Sequence, residues 1–236
     1  MIISNGVKNN MNDVKMIIML LKTGSQAGFY RILGLLFSVV GVLIELTGGY
    51  DDRMLGVFFI IVSGLYMGQV VTSNALAKSV QASPYGKKIQ TVYASAVYFI
   101  FILIGFAVVT GCELLRTVIK TGAADDSASV FSPGAMIVIA SIIGVFFSIM
   151  VVLSLKSYIV GVIIVALGFV AYSVINLYFD NALLRLFEGL DIPAAVLTGL
   201  AVIFVGVAII YSVSCLMYKM EFSKSAARNI VLKNGN

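Results

Sequence analysis

Residues Gln81–Gly105 read QASPYGKKIQTVYASAVYFIFILIG. A proline turn and two adjacent lysines, Lys87 and Lys88, run straight into an apolar stretch that stays free of charge up to Glu113. A helix needs about 20 mostly apolar residues to cross a hydrocarbon layer of roughly 30 Å, and Thr91–Glu113 meets that length. The remainder of the chain repeats the pattern. Six segments qualify as spans: Gly28–Thr47, Met54–Thr72, Thr91–Glu113, Ala135–Leu155, Tyr158–Tyr178 and Ala194–Tyr218. Only Lys156 and Ser157 separate the fourth from the fifth, which marks a tight turn.

Composition agrees. Of 236 residues, 60% are apolar and 11% charged, and mean hydropathy is +1.05. A water-soluble globule carries about 25% charged residues, so a chain with half that charge cannot cover its own surface in water. The expected class is an all-α polytopic membrane protein with six transmembrane helices and both termini cytosolic. Residues 1–27 form a cytosolic N-terminus with an interfacial helix, 28–218 the transmembrane domain and 219–236 a cytosolic tail.

The orientation comes from the loops. With both ends inside, the cytosolic face holds twelve basic residues: Lys8, Lys15, Lys22, Arg31, Lys78, Lys87, Lys88, Lys156, Lys219, Lys224, Arg228 and Lys233. The other face holds four, Arg53, Arg116, Lys120 and Arg185. Positive residues stay inside. This asymmetry also accounts for the pI near 9.2 without a nucleic-acid partner. Tyr30, Tyr50, Tyr158, Tyr178 and Tyr218 fall at span ends, where an amphipathic ring prefers to sit.

Two further segments read as interfacial. Met11–Lys22 (MNDVKMIIMLLK) places Met11, Val14, Ile18 and Leu21 at helical spacing with Lys15 and Lys22 a heptad apart, which suits a helix in the membrane plane. Its apolar run Met16–Leu21 is shorter than the 7–15 residues of a signal peptide's core, so insertion is expected through the spans themselves. On the other face, Asn181–Leu190 (NALLRLFEGL) is a short amphipathic piece before Asp191 and Pro193.

The spans are notable for what they lack. No Asp, Glu, Lys, Arg or His is expected away from their ends. Arg31 and Glu45 lie within about one turn of opposite ends of the first span and are expected to snorkel outward. Pumps and proton-coupled carriers depend on ionisable groups at depth, which argues against both. The chain has no His and only Cys112 and Cys215, placed at opposite ends of their spans. That excludes a Ser–His dyad, a His-containing zinc site and a disulfide between the two. The Gly86-Lys87 pair is no P-loop, because Gln81 and Lys88 stand where Gly and Ser or Thr are required. No enzyme activity, catalytic residue, cofactor or metal is expected in this chain.

Small residues one turn apart, Gly64 with Gly68, Ala140 with Gly144 and Ser148, and Ala195 with Gly199, let helix backbones approach closely, either inside the bundle or between subunits. Ser63, Tyr66, Gln69, Tyr98, Tyr172 and Tyr211 lie mid-span, as candidate linings of a passage or as hydrogen-bonding glue between helices.

Ser73–Gln90 (SNALAKSVQASPYGKKIQ) joins the second and third spans. Ser73 or Asn74 is placed to cap a short helix, with Leu76 and Val80 at i,i+4 and Lys78 turned away. Ser83 precedes Pro84 and so leaves the helical region. Pro84-Tyr85-Gly86 makes a turn, and Lys87-Lys88 anchors the next span at the phosphate level.

In this layout the chain resembles the permease subunits of ABC exporters of the type 2 class. The shared features are an interfacial N-terminal helix, six spans with both ends inside, a helical loop between spans two and three, a minimal turn between four and five, and an outer amphipathic segment before span six. Ser83–Thr91 (SPYGKKIQT) is similar to the Ser-Pro-x-Gly-Arg/Lys turn after the coupling helix of some small members. The resemblance implies a coupling helix at Asn74–Ala82, gripped by a separate ATPase subunit that holds ATP and Mg. It also implies a second permease subunit across the transport cleft and a location in a bacterial cell membrane. The turn residues Ser83, Pro84, Tyr85, Gly86, Lys87 and Lys88 would adjoin the ATPase contact formed by Asn74, Leu76, Lys78 and Val80. An amphipathic substrate (a peptide, a drug or a lipid-like molecule) would suit the apolar walls. Two readings compete: a non-transport interaction or immunity protein, and a passive channel or facilitator.

Overall fold

The computed structural model describes residues 13–22, 27–47, 50–75, 85–120, 132–156, 163, 187 and 189–218. Every regular element among them is a helix. Helix α1 spans Asp13–Lys22, α2 Ala27–Thr47 and α3 Tyr50–Ala75. A three-residue α-turn, Gly86–Lys88, then leads through a π-helical segment, Ile89–Tyr93, into α4, Ala94–Lys120. Helices α5 (Pro133–Lys156) and α6 (Ile192–Met217) complete the order. Five of these stretches are long and apolar enough to cross a membrane, and they correspond to expected spans one, two, three, four and six. The chain is thus a multi-pass helical membrane protein. The expected fifth span, Tyr158–Tyr178, lies outside the described residues apart from Ile163.

Only helices and closed barrels satisfy every backbone N–H and C=O without water, so long apolar runs in lipid become continuous helices. Their starts are marked locally. Ser132 precedes Pro133, and its hydroxyl accepts from the Ala135 N–H at 3.2 Å. Asp191 caps α6 by accepting from the Ala194 N–H at 3.3 Å, with Pro193 in the first turn. Both are N-cap residues followed by a proline that has no N–H to leave unpaired.

Helices α3, α4 and α5 form the centre, with α2 packed on α3 and α6 on α5 and α4. Tyr98, Ile102 and Phe106 of α4, one turn apart, meet Ile137 and Val138 of α5 and Ala195 and Ile203 of α6. Val57, Ile60 and Ile61 of α3 pack with Val109, Met136 and Ala140. In lipid, apolar contact between helices gains little by leaving the solvent, so close van der Waals approach and interhelical hydrogen bonds hold the bundle. The small residues supply that approach. A Cβ on Gly41 of α2 would lie 2.8 Å from the backbone N of Ile60 and 2.9 Å from the carbonyl of Gly56. Gly199 similarly admits the Phe106 ring and the Ser141 hydroxyl, and Gly144 admits Ile102. Gly64 rests on the Phe101 backbone and Gly68 on the Tyr98 ring. These rows therefore serve contacts within the bundle.

A side chain at Gly41 must push backbone rather than flexible atoms. Gly41→Val is expected to destabilise the α2–α3 pair by about 1–3 kcal/mol, read as a lower thermal midpoint in detergent. Gly111→Ala, where a Cβ meets nothing within 4 Å, should not lower the midpoint, since alanine is the better helix former.

Candidate functional site

The basic turn that follows Pro84 is built into the start of a helix. Tyr85 is an exposed turn residue whose carbonyl accepts from the Ile89 N–H at 2.9 Å, so the helix begins at Gly86 rather than at the expected Thr91. Lys87 and Lys88 then occupy a helical first turn, the end of the macrodipole that disfavours cations. Each is compensated. The Lys87 ammonium lies 5.9 Å over the Tyr218 ring at the end of α6. Lys88 Nζ donates to Asp13 Oδ1 at 2.7 Å, and the Tyr93 hydroxyl donates to the same oxygen at 2.6 Å. Lys88 also sits 5.3 Å from the Tyr93 ring.

The π-turn makes this double grip feasible. In an α-helix of 3.6 residues per turn, positions five apart diverge by about 140°. The Ala94 N–H instead reaches back five residues to the Ile89 carbonyl, and the widened turn brings Lys88 and Tyr93 onto one side. Asp13 sits there. The Lys88 ammonium first, and the Tyr93 hydroxyl second, hold its carboxyl below the usual carboxylate range.

Helix α1 is a ten-residue segment, too short to be stable alone in water. Its stability comes from docking and from its ends. Met16, Ile17 and Leu21 pack against Val71 of α3, Ile89, Tyr93 and Val97. Asp13 lies at its N-terminus and Lys22 at its C-terminus, both favourable to the helix dipole. Arg31 of α2 donates to the Leu21 carbonyl, so this residue, expected to snorkel, serves as a C-terminal cap. One end of α1 is tied to the start of the third span and the other to the start of the first. At roughly 15 Å long, it bridges the starts of these two spans at one end of the bundle. Of the apolar stripe, Leu21 packs on the bundle together with Met16 and Ile17, while Ile18 is 46% exposed.

The expected coupling segment is described only at its borders. Helix α3 continues to Ala75, so Ser73 and Asn74 lie in its last turn. Leu76, Lys78, Val80, Ser83 and Pro84 lie outside the described residues, as does Tyr172 among the candidate passage residues. Ser63 is buried and accepts from the Ser38 hydroxyl of α2 at 2.8 Å, while donating to the Ile60 carbonyl at 2.6 Å. Tyr66 stacks on Phe37 and Tyr30. Gln69 is half-buried on the same helix. Tyr98 is 1% exposed, in the central core, and Tyr211 is 46% exposed on α6. Ser63, Tyr66 and Gln69 thus share α3 and Tyr98 packs on that helix at Gly68, whereas Tyr211 stands apart.

At the opposite end of the bundle the structure corrects an expectation. Glu45, in the last turn of α2, is turned inward and 1% exposed, and Glu113 of α4 is 0% exposed. The Glu45 carboxylate occupies the space left by Gly56, where a Cβ would fall 2.8 Å from Oε2. Arg116 Nη1 donates to the Glu45 carbonyl at 3.1 Å. Two acidic side chains are therefore buried where the apolar pattern suggests none.

Comparison with models of protein families, with curated proteins and with solved structures finds no match.

Asp13→Asn should loosen α1 from the bundle, read as faster hydrogen exchange of the α1 amides with the exchange of α5 unchanged. The native contact has a pH limit of definite sign. A carboxyl with a lowered folded-state value contributes fully above its ordinary value of about 3.9 and is lost as pH falls through the lower one. Protection of α1 should therefore be flat through neutrality and fall only in acid.

Proposed function

We propose that this chain is the membrane-spanning permease subunit of an ABC exporter of the type 2 class, set in a bacterial cell membrane with both termini cytosolic. A separate ATPase subunit binds ATP and Mg and presses on the Asn74–Lys88 segment. A second permease subunit completes the cleft through which an amphipathic substrate leaves. The observation that carries the reading is the clasp at one end of the bundle. The Gly86–Tyr93 joint that ends the basic loop is bonded through Asp13 to α1, and α1 in turn is bonded to Arg31 at the start of α2. A push on that loop would reach the first and third spans together. The π-helical turn at the joint suits this role, because such turns recur at functional sites and hinges.

Tagged protein taken from its native membrane should bring an ATPase subunit with it, and Val80→Pro should abolish that pairing. Recovery of the chain alone, with ATP-independent transport intact, would reject the proposal.

The buried Glu45 and Glu113 favour a second reading, a proton- or cation-coupled carrier, since ionisable groups buried within spans mark such pathways. It predicts ion-coupled flux in liposomes holding this chain alone, abolished by Glu113→Gln. Under the permease reading these liposomes show no such flux.

A further inference from the structure

The face of α1 turned away from the bundle carries Lys15, Ile18, Met19 and Lys22, all exposed, at the i, i+3, i+4, i+7 positions of one helical stripe. Ile18 is 46% and Met19 42% exposed. The stripe holds no acid. The only acid on the helix, Asp13, is engaged with Lys88 and Tyr93.

We infer that this stripe is a docking face for anionic lipid headgroups, with the Lys15 and Lys22 ammonium groups on phosphates and Ile18 and Met19 in the acyl boundary. Three observations converge on that occupant. First, α1 is bonded to the starts of the first and third spans, and span ends are the depth at which headgroups sit. Second, the stripe alternates cation and apolar residue in the order lysine, aliphatic pair, lysine. That order lets long stems lie over lipid while their ammonium heads reach the phosphate level. Third, it is continuous with the lipid-facing surface of the bundle: Arg31 joins Leu21 of α1 to the start of α2, where Phe29 is 59% and Ile32 67% exposed. A protein partner at the same place would have to cover apolar surface that already borders the bilayer. Exposed Lys87 and the half-exposed Tyr85 ring extend the same cationic and aromatic character around this end.

The consequence is a coupling between lipid charge and the clasp. Anionic lipid that holds the outer face of α1 also holds its inner face on the π-helical joint, because both faces belong to one short rigid helix.

The inference rests on the membrane-spanning reading and is independent of the permease proposal. The test uses the full chain in bilayer nanodiscs, with Cys112→Ser and Cys215→Ala as background and a fluorophore at Met19→Cys. Brominated phosphatidylglycerol should quench the label at a mole fraction roughly ten-fold lower than brominated phosphatidylcholine, each surface lysine contributing a few-fold. The double variant K15Q/K22Q should equalise the two lipids, and so should raising salt to about 0.5 M, where screening is short-ranged; the salt arm requires no lysine substitution. Equal quenching by both lipids in the labelled chain with Lys15 and Lys22 intact would overturn the headgroup preference. No quenching by either, in a chain that still resists alkaline extraction, would mean that water or a protein covers this face, and would also overturn it. Extraction of the chain by alkali would instead refute the membrane reading. Absence of an ATPase partner changes none of these results.

Discussion

The Asp13 carboxylate accepts from Lys88 and Tyr93 at once, and most of the organisation at that end of the molecule follows from this pairing. A lysine at the start of a long helix sits at the wrong end of its dipole. A carboxylate brought across from another helix removes the penalty, and it does so only because the π-turn places two donors five residues apart on one side. The same bond fixes the position of α1, whose opposite end Arg31 secures. Three spans are thereby connected at one end by a single ten-residue helix.

Within the bundle the governing constraint is different. Lipid removes the ordinary driving force for burying apolar side chains, so geometry decides. Gly41 and Gly56 let α2 and α3 approach to backbone contact, and the Ser38–Ser63 hydrogen bond closes the same interface. Gly56 has a second consequence, since the room it leaves is where Glu45 turns inward. A site of close packing has become a site for a buried acid.

Much of the fold is legible in the sequence because lipid imposes a strong rule: a run of about 20 apolar residues has few alternatives to a helix. The five described membrane-length helices fall where hydropathy places them. Boundaries are less legible. The Pro84 turn hides the fact that Gly86, Lys87 and Lys88 already obey helical bonding, and α3 runs past its expected end to Ala75. The clasp is illegible for a different reason, because its partners are separated by 75 and 80 positions and no local spacing joins them. Glu45 and Glu113 misled in turn: an acid near a span end reads as solvent-facing, and only the opposing Gly56 reveals room for it inside. The pattern GCELLR at Gly111–Arg116, an acid one turn before a base inside an apolar run, was the available signal.

These buried acids narrow the argument from absence. A hydrocarbon interior without titratable groups would have required all work to arrive mechanically, whereas the structure buries two acids, Glu45 and Glu113, at the end remote from α1. Under the permease proposal the clasp is the link by which force on the basic loop would spread to the spans, and its existence in the native membrane is the point on which the account turns. The most direct measurement is the interspin distance between labels at Lys15 and Lys87, both exposed, in the chain reconstituted in bilayers at neutral pH. A single narrow distribution is predicted, broadening when Asp13 is replaced by Asn. A broad distribution already present in the native chain would contradict the account.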